Sequence, residues 1–285
     1  MGNPPPPTAT VNGFCSDLVH GLDELERRLA GDGAVSLVFL RRVVYFLRSS
    51  HRKMTHLVQN LRLPAGGRWL SEYMDESACL WEACSAAKLA VAAAARAIAG
   101  CRREAAALEQ ENTPAVVAMV QPISFWFDDR TQMESSSYSK LSNGFNGLRG
   151  ALLAMRLVGA LLLKVLLWGL AAWWPESSSS CSGDQAARWG RSELAAAAER
   201  LKERVAAAVA EEGGGGGVGG VPAEEFRRAR AAMEEVETEE EGWERLKECL
   251  VSLSAAAEAV AGELDDLFDD MVEARKTILN LCCRR

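Results

Sequence analysis

The chain is poor in the residues that most often carry chemistry. It has 3 His in 285 residues, and His56 follows His51 by five positions, where two metal ligands on one helix face need a step of four. Its 8 Cys form no CxxC pair and no zinc spacing, which excludes a small disulfide scaffold and leaves reduced thiols as the expectation. Basic residues are also short. Lys and Arg total 32 against 39 Asp and Glu, a formal net charge of -7, so no nucleic-acid partner is expected. The start, Met1-Gly2-Asn3 followed by Pro4 to Pro7, has neither the basic nor the apolar region of a secretory signal. Gly2 does not suit myristoylation either, because Pro6 stands where that motif needs Ser or Thr. The glycine run Gly213–Gly220 follows an Ala-rich stretch instead of a strand, which makes it a tether and not a dinucleotide loop. No cofactor or metal is expected, no catalytic residues are assigned, and the expected location is cytoplasmic.

What is present is helical periodicity. Hydrophobic residues make up 48%, and much of that share sits in stripes with alternating steps of three and four and in one Leu-rich segment. A first helix begins near Phe14, with Ser16 or Asp17 as its cap, and ends at Gly31–Gly33. A second, capped by Ser36, carries the stripe Leu37, Leu40, Val44, Leu47, His51, Met54, Val58 and Leu61, and stops at Leu63-Pro64. On this stripe His51 reads as a partly buried, hydrogen-bonded core residue. The third keeps the rhythm from Leu70 through Tyr73, Ser77, Leu80 and Cys84 to Leu108. An Ala-rich helix over 192–212 and a last helix from Trp243 to Leu281 complete the set. The pattern predicts an all-α bundle of long antiparallel helices, with a long irregular loop and a Gly-rich linker. Its expected layout is a disordered Pro-rich leader at 1–12 and one helical domain over 13–281. Flexible insertions fall at about 112–143, 175–190 and 213–221, and 282–285 form a tail.

The segment 151–174 supports two readings. As a helix its 24 residues reach about 36 Å, enough for a hydrocarbon core of about 30 Å. Its nine Leu favour insertion by roughly 4–5 kcal/mol, but a central Lys164 opposes it by about 2.5–3.5 and Arg156 removes most of the rest. A buried bundle helix and a single membrane span both fit. Arg149, Arg156 and Lys164 share one edge of it, the candidate polar edge facing water or lipid headgroups. Candidate partner anchors are Trp81, Trp243 and Trp126, the last inside an apolar Phe125-Trp126-Phe127 plug. Cys282 and Cys283, adjacent and followed by Arg284-Arg285, are candidate S-acylation sites. The cluster Arg41, Arg42, Arg48, Arg52 and Lys53 reads as a solvated face paired with the acidic run Glu234–Glu241, and Asp265-Asp266 with Asp269-Asp270 as solvated helix surface.

Three blocks carry a resemblance. Leu57-x-x-Asn60-Leu61-x-Leu63-Pro64 is followed by Trp69, Tyr73-Met74-Asp75-x-Ser77, Leu80 and Cys84. The apolar segment contains Met155-Arg156, Gly159 and Lys164, and the last helix contains Leu264-x-x-Leu267-Phe268-x-x-x-Val272-x-x-Arg275-x-x-Ile278-Leu279. Together they resemble the plant BYPASS-related proteins over most of the chain. The resemblance implies a non-enzymatic plant protein of long helices that controls growth and development through protein contacts. One branch of the family is linked to exocyst subunits, and hence to secretion, so the resemblance implies these as a class of partner. Membrane association is one of the two expectations from the apolar segment 151–174.

Overall fold

The computed structural model describes residues 10–61, 68–99, 147–171, 193–212, 223–236 and 242–283. The Pro-rich leader, Trp126 with its plug, the Gly213–Gly220 tether and Arg284-Arg285 lie outside the described residues, as does the third helix beyond Ala99. Among the described residues all the regular structure is helical: α1 (Val11–Asp32), α2 (Leu37–Asn60), α3 (Arg68–Ala99), α4 (Leu148–Ala171), α5 (Glu193–Glu212), α6 (Glu224–Val236) and α7 (Gly242–Cys283).

Local chemistry sets the helix ends. Helix α1 starts three residues before the expected Phe14. Thr10 is extended (φ -107°) and its side chain accepts from the Gly13 amide, so Thr10 is the cap and not Ser16 or Asp17. The helix closes on Gly33, whose φ of 72° lies in the left-handed region that suits glycine. Ser36 caps α2 through the Phe39 amide, as its position predicts. A second anion reaches the same end from far away in sequence: the Leu37 amide donates to Glu225 of α6 at 2.8 Å, where a carboxylate also complements the helix dipole. Helix α6 itself is an addition to the expected set. It buries Ala223, Phe226, Ala229 and Ala232, a stripe mostly of alanine that carries little hydrophobic signal.

The directions of the helices follow from their cross-contacts. Asp32 pairs with Arg42, and Asp17 with Lys53, so α1 and α2 are antiparallel. Trp81 packs edge-on against Phe268, and Lys88 pairs with Asp265, so α3 and α7 are antiparallel too. Glu72 meets Arg149 and Glu76 meets Arg156. Helices α3 and α4 therefore run the same way, a return that the long connection between them permits. Helix α7 likewise runs alongside α2 in the same direction, with Arg41 at Glu263 and Arg52 at Asp270.

Helix α4 is the inner member. Residues Leu148–Leu170 have a mean hydropathy of 2.0, long and apolar enough to cross a membrane. In the bundle this helix packs against α1, α2, α3 and α5, and Leu162, Leu163, Val165 and Leu166 are buried. The approach to α2 is close. A Cβ on Gly169 would fall 2.8 Å from Leu40 Cδ1, and Leu40 is itself fully buried. Gly169→Val is expected to destabilise the fold by about 1–3 kcal/mol through overpacking. Gly262→Ala, at an exposed mid-helix site of α7 with open space around it, is expected to stabilise by about 0.5–1 kcal/mol. Urea unfolding midpoints that move in opposite directions would bear this out; a Gly169→Val midpoint equal to wild type would refute the close contact.

Candidate functional site

One polar cluster lies within the apolar interior, where α2 meets α3. His51 lies on the core stripe of α2 and is 3% exposed. One turn later Thr55 donates its hydroxyl proton to the His51 carbonyl at 3.0 Å. Tyr73 of α3 brings its phenol to within 3.2 Å of Thr55 Oγ1 and 3.5 Å of His51 Nε2. The proton count orders the set. Thr55 has spent its only proton, so Tyr73 donates to Thr55, and neutral His51 donates from Nε2 to the Tyr73 oxygen. That leaves His51 Nδ1 as a buried acceptor without a hydrogen-bond partner among the described residues.

Burial dictates the acid–base state. It pushes the His51 imidazole down to about 4, against a smaller upward pull from the Asp270 carboxylate, so His51 is neutral at physiological pH. Burial raises the Tyr73 phenol, opposed by the Thr55 hydrogen bond and the Arg275 charge. A proton-transfer role at pH 7 needs the reverse of both shifts. The Cys84 thiol is pushed up to about 12 by burial, which makes it a packing residue and not a nucleophile.

Beside this cluster is a cavity of about 40 Å³, bordered by His51, Tyr73, Glu76, Ser77, Met155 and Arg156 among others. Its size suits a few water molecules and not a metabolite. Arg156 of α4 and Glu76 of α3 form an ion pair at its wall, with side chains only 8% and 15% exposed. Arg275 of α7 bonds to one of its lining residues, donating from Nη1 to Ser77 Oγ at 3.1 Å, and also to the Met74 carbonyl at 3.5 Å. Among the described residues, no group of three or more His, Cys, Asp or Glu is placed to hold a metal ion.

The polar edge of α4 therefore divides. Arg149 and Arg156 turn to the Glu72 and Glu76 carboxylates of α3, neither to water alone nor to lipid. Lys164 is half-buried and makes no ion pair with any described residue. It shares a half-exposed strip with Leu157, Ala160 and Leu161, all of which pack on the core.

The basic cluster of α2 finds different partners from those its composition suggests. Arg48 donates to Asp270 at 2.6 Å and to Glu263 at 3.0 Å, and also pairs with Asp266. Arg52 binds Asp270 through both of its carboxylate oxygens, at 2.6 and 2.9 Å. Burial raises the Asp270 carboxyl, but the hydrogen bonds from Arg52 and Arg48 outweigh it and hold the group below its usual range. Of the carboxylates that read as solvated surface, Asp266 and Asp270 join Glu263 in a seam between α2 and α7, while Asp269 is exposed as that reading has it. Asp265 joins the same pattern through Lys88. These groups lie along a partly open helix seam, and neutralised pairs of this kind position helices without activating a substrate.

Of the candidate anchors, Trp81 is 39% exposed with its ring 4.6 Å from Phe268, and Trp243 is half-buried at the start of α7. Cys282 is half-buried and Cys283 exposed in the last turn of that helix.

Residues from two of the three resembling blocks line the cavity. Tyr73, Ser77 and Leu80 come from the first block, and Met155, Arg156 and Gly159 from the second. Arg275 comes from the third and reaches Ser77 across 198 positions. Compared with known protein families, with curated proteins and with solved structures, the chain gives no match.

Proposed function

We propose that the chain is a non-enzymatic helical regulator of the BYPASS-related kind, acting in growth and development through protein contacts at the cytoplasmic side of a membrane. The observation that carries this reading is that residues of the first two blocks line one small cavity, beside which Arg275 of the third block reaches Ser77. Those residues build a rigid interior, which leaves the outer helix faces as the working surface. Exposed aromatic and apolar positions such as Trp81 and Tyr45 supply the type of side chain that anchors protein interfaces. Exocyst subunits are the partner class that the resemblance points to.

In this reading α4 serves as the core helix of the bundle and does not span a membrane. Moving it into lipid would strip apolar cover from α1, α2, α3 and α5 and would part Glu72 from Arg149 and Glu76 from Arg156. The single-span alternative rests on length and hydropathy alone.

Proximity labelling with the full chain in plant cells tests the partner class. Enrichment of exocyst subunits over a cytosolic control is the expected outcome; recovery of no secretory component would overturn the exocyst assignment.

A further inference from the structure

Helix α3 is apolar on two faces. Its inner stripe, which includes Tyr73, Leu80, Cys84, Ala87 and Val91, is buried. A second stripe runs along the outside through Ala78, Trp81, Ser85, Leu89 and Ala92. Its steps are again of three and four, and its positions lie within about 80° of one another around the helix. Leu89 is 47% and Trp81 39% exposed. Ser85 spends its hydroxyl proton on the Trp81 carbonyl at 2.9 Å, so it adds no free donor to the strip. A helix with apolar residues on opposite sides calls for cover on both. Its described neighbours cover the flanks instead. Helix α3 packs mainly against α4 and α7, with Glu76–Arg156 on one flank and Trp81–Phe268 and Lys88–Asp265 on the other.

The form and the charge of this outer strip specify what fits it. Ala78 to Ala92 spans about 21 Å, four helical turns, and a stripe of this spacing is the complement of a stripe on another helix. Trp81 is already held in place, its ring edge-on to Phe268 at 4.6 Å, as suits an interface anchor. Each of these two aromatics is followed by an exposed carboxylate, Glu82 on α3 and Asp269 on α7. Neither makes an ion pair with any described residue. Lys88 is already neutralised by Asp265, and Lys164, on α4 at the other flank, pairs with neither carboxylate. Glu82 and Asp269 thus border the strip on its two sides, where flanking charges select a partner of the opposite sign.

We propose that the outer face of α3 docks an amphipathic helix of a protein partner, one whose apolar stripe packs over Trp81, Ser85 and Leu89 and whose flanking lysines or arginines meet Glu82 and Asp269. The inference deepens the protein-contact reading above and rests on it, giving the partner segment its chemistry: helical, four turns or longer, and basic along the edges of its apolar face.

The test is binding of the purified full chain to two labelled synthetic helices of about 18 residues, followed by fluorescence anisotropy. Both carry the same leucine stripe, flanked in one by lysine and in the other by glutamate. At least tenfold tighter binding of the lysine peptide is expected, with the difference shrinking at about 0.5 M salt. Glu82→Lys/Asp269→Lys should reverse the preference. Leu89→Ser should weaken binding of the lysine peptide several-fold while keeping the wild-type urea midpoint. Tyr45→Ser, at a 60% exposed position on α2, should leave binding unchanged. Equal affinity for the two peptides, or binding indifferent to Leu89→Ser, would overturn the proposal. So would failure to bind either peptide; a lowered urea midpoint for Leu89→Ser would then identify residues 100–146 of the chain itself as the cover. The assay contains no exocyst subunit, so its failure would leave the labelling result standing, and loss of exocyst labelling with peptide binding intact would overturn that partner class alone.

Discussion

Replacing Arg156 with leucine destabilises the fold by about 3–5 kcal/mol, and replacing Glu76 with leucine at the same time recovers most of that loss. The two charges form a pair at the wall of an interior cavity, with side chains 8% and 15% exposed. Removing the arginine alone strands a carboxylate in a medium that solvates it poorly. Removing both leaves an apolar wall beside Met155, Leu152 and Leu163, which suits leucine. Arg149→Ala should cost about 0–1 kcal/mol, because its pair with Glu72 is open to solvent. Urea unfolding of the two single variants and the double variant closes the cycle. The sign is diagnostic for α4. If that helix spanned a bilayer, Arg156→Leu would remove a cost and stabilise the inserted state, so a stabilised Arg156→Leu variant would contradict the bundle.

Acid weakens the fold through His51 by roughly 2–3 kcal/mol between pH 7.5 and pH 4.5. In the unfolded chain the imidazole takes a proton near its ordinary value of 6.5, whereas burial in the fold delays this to about 4. Between those two values the unfolded state binds more protons, so stability falls as pH falls through the window. Above it, this group contributes no slope. Protonation in place would add a second ring N–H at Nδ1, which has no hydrogen-bond partner among the described residues, against the smaller attraction to Asp270. Asp270, held below the usual carboxylate range by Arg52 and Arg48 despite its burial, adds its own loss only at lower pH. Comparing urea midpoints of wild type and His51→Leu at the two pH values isolates the histidine. A wild-type loss no larger than that of His51→Leu would refute the buried neutral imidazole.

Much of the fold is legible as periodicity. The α2 stripe from Leu37 to Val58 is buried throughout, His51 included, and along α7 Leu246, Leu253, Val260, Leu264, Leu267, Met271 and Ile278 are buried as their spacing predicts. Three-and-four spacing reports which face of a helix is covered, and that is all an isolated segment encodes about packing. It misses α6, because a stripe built mainly from alanine hardly differs from the composition around it. It also misplaces the cap of α1, where Thr10 precedes the first apolar repeat.

The candidate site was legible only in pieces. Tyr73, Ser77 and Arg156 stand out as motif residues, but their meeting depends on α3 and α4 running in the same direction, which no local pattern specifies. A subtler signal was available: Glu72 and Glu76 are one turn apart on α3, while Arg149 and Arg156 are two turns apart on one face of α4. Facing helices can match such spacings when long side chains converge, as these do. The α2–α7 seam was hidden for a related reason. Asp266 and Asp270 share a face with Glu263, yet only the parallel alignment with α2 shows that Arg48 and Arg52 are what they face.

Alkaline carbonate extraction of the Cys282→Ser/Cys283→Ser chain, which carries no terminal thiol for an acyl anchor, asks most directly whether α4 belongs to the bundle. Release of the protein from cell membranes into the supernatant is the outcome expected of a helix wrapped by α1, α2, α3 and α5 and held through Arg149 and Arg156 to α3. Retention in the pellet, with an established transmembrane protein retained and a peripheral one released in the same experiment, would show that α4 leaves the bundle to span the bilayer.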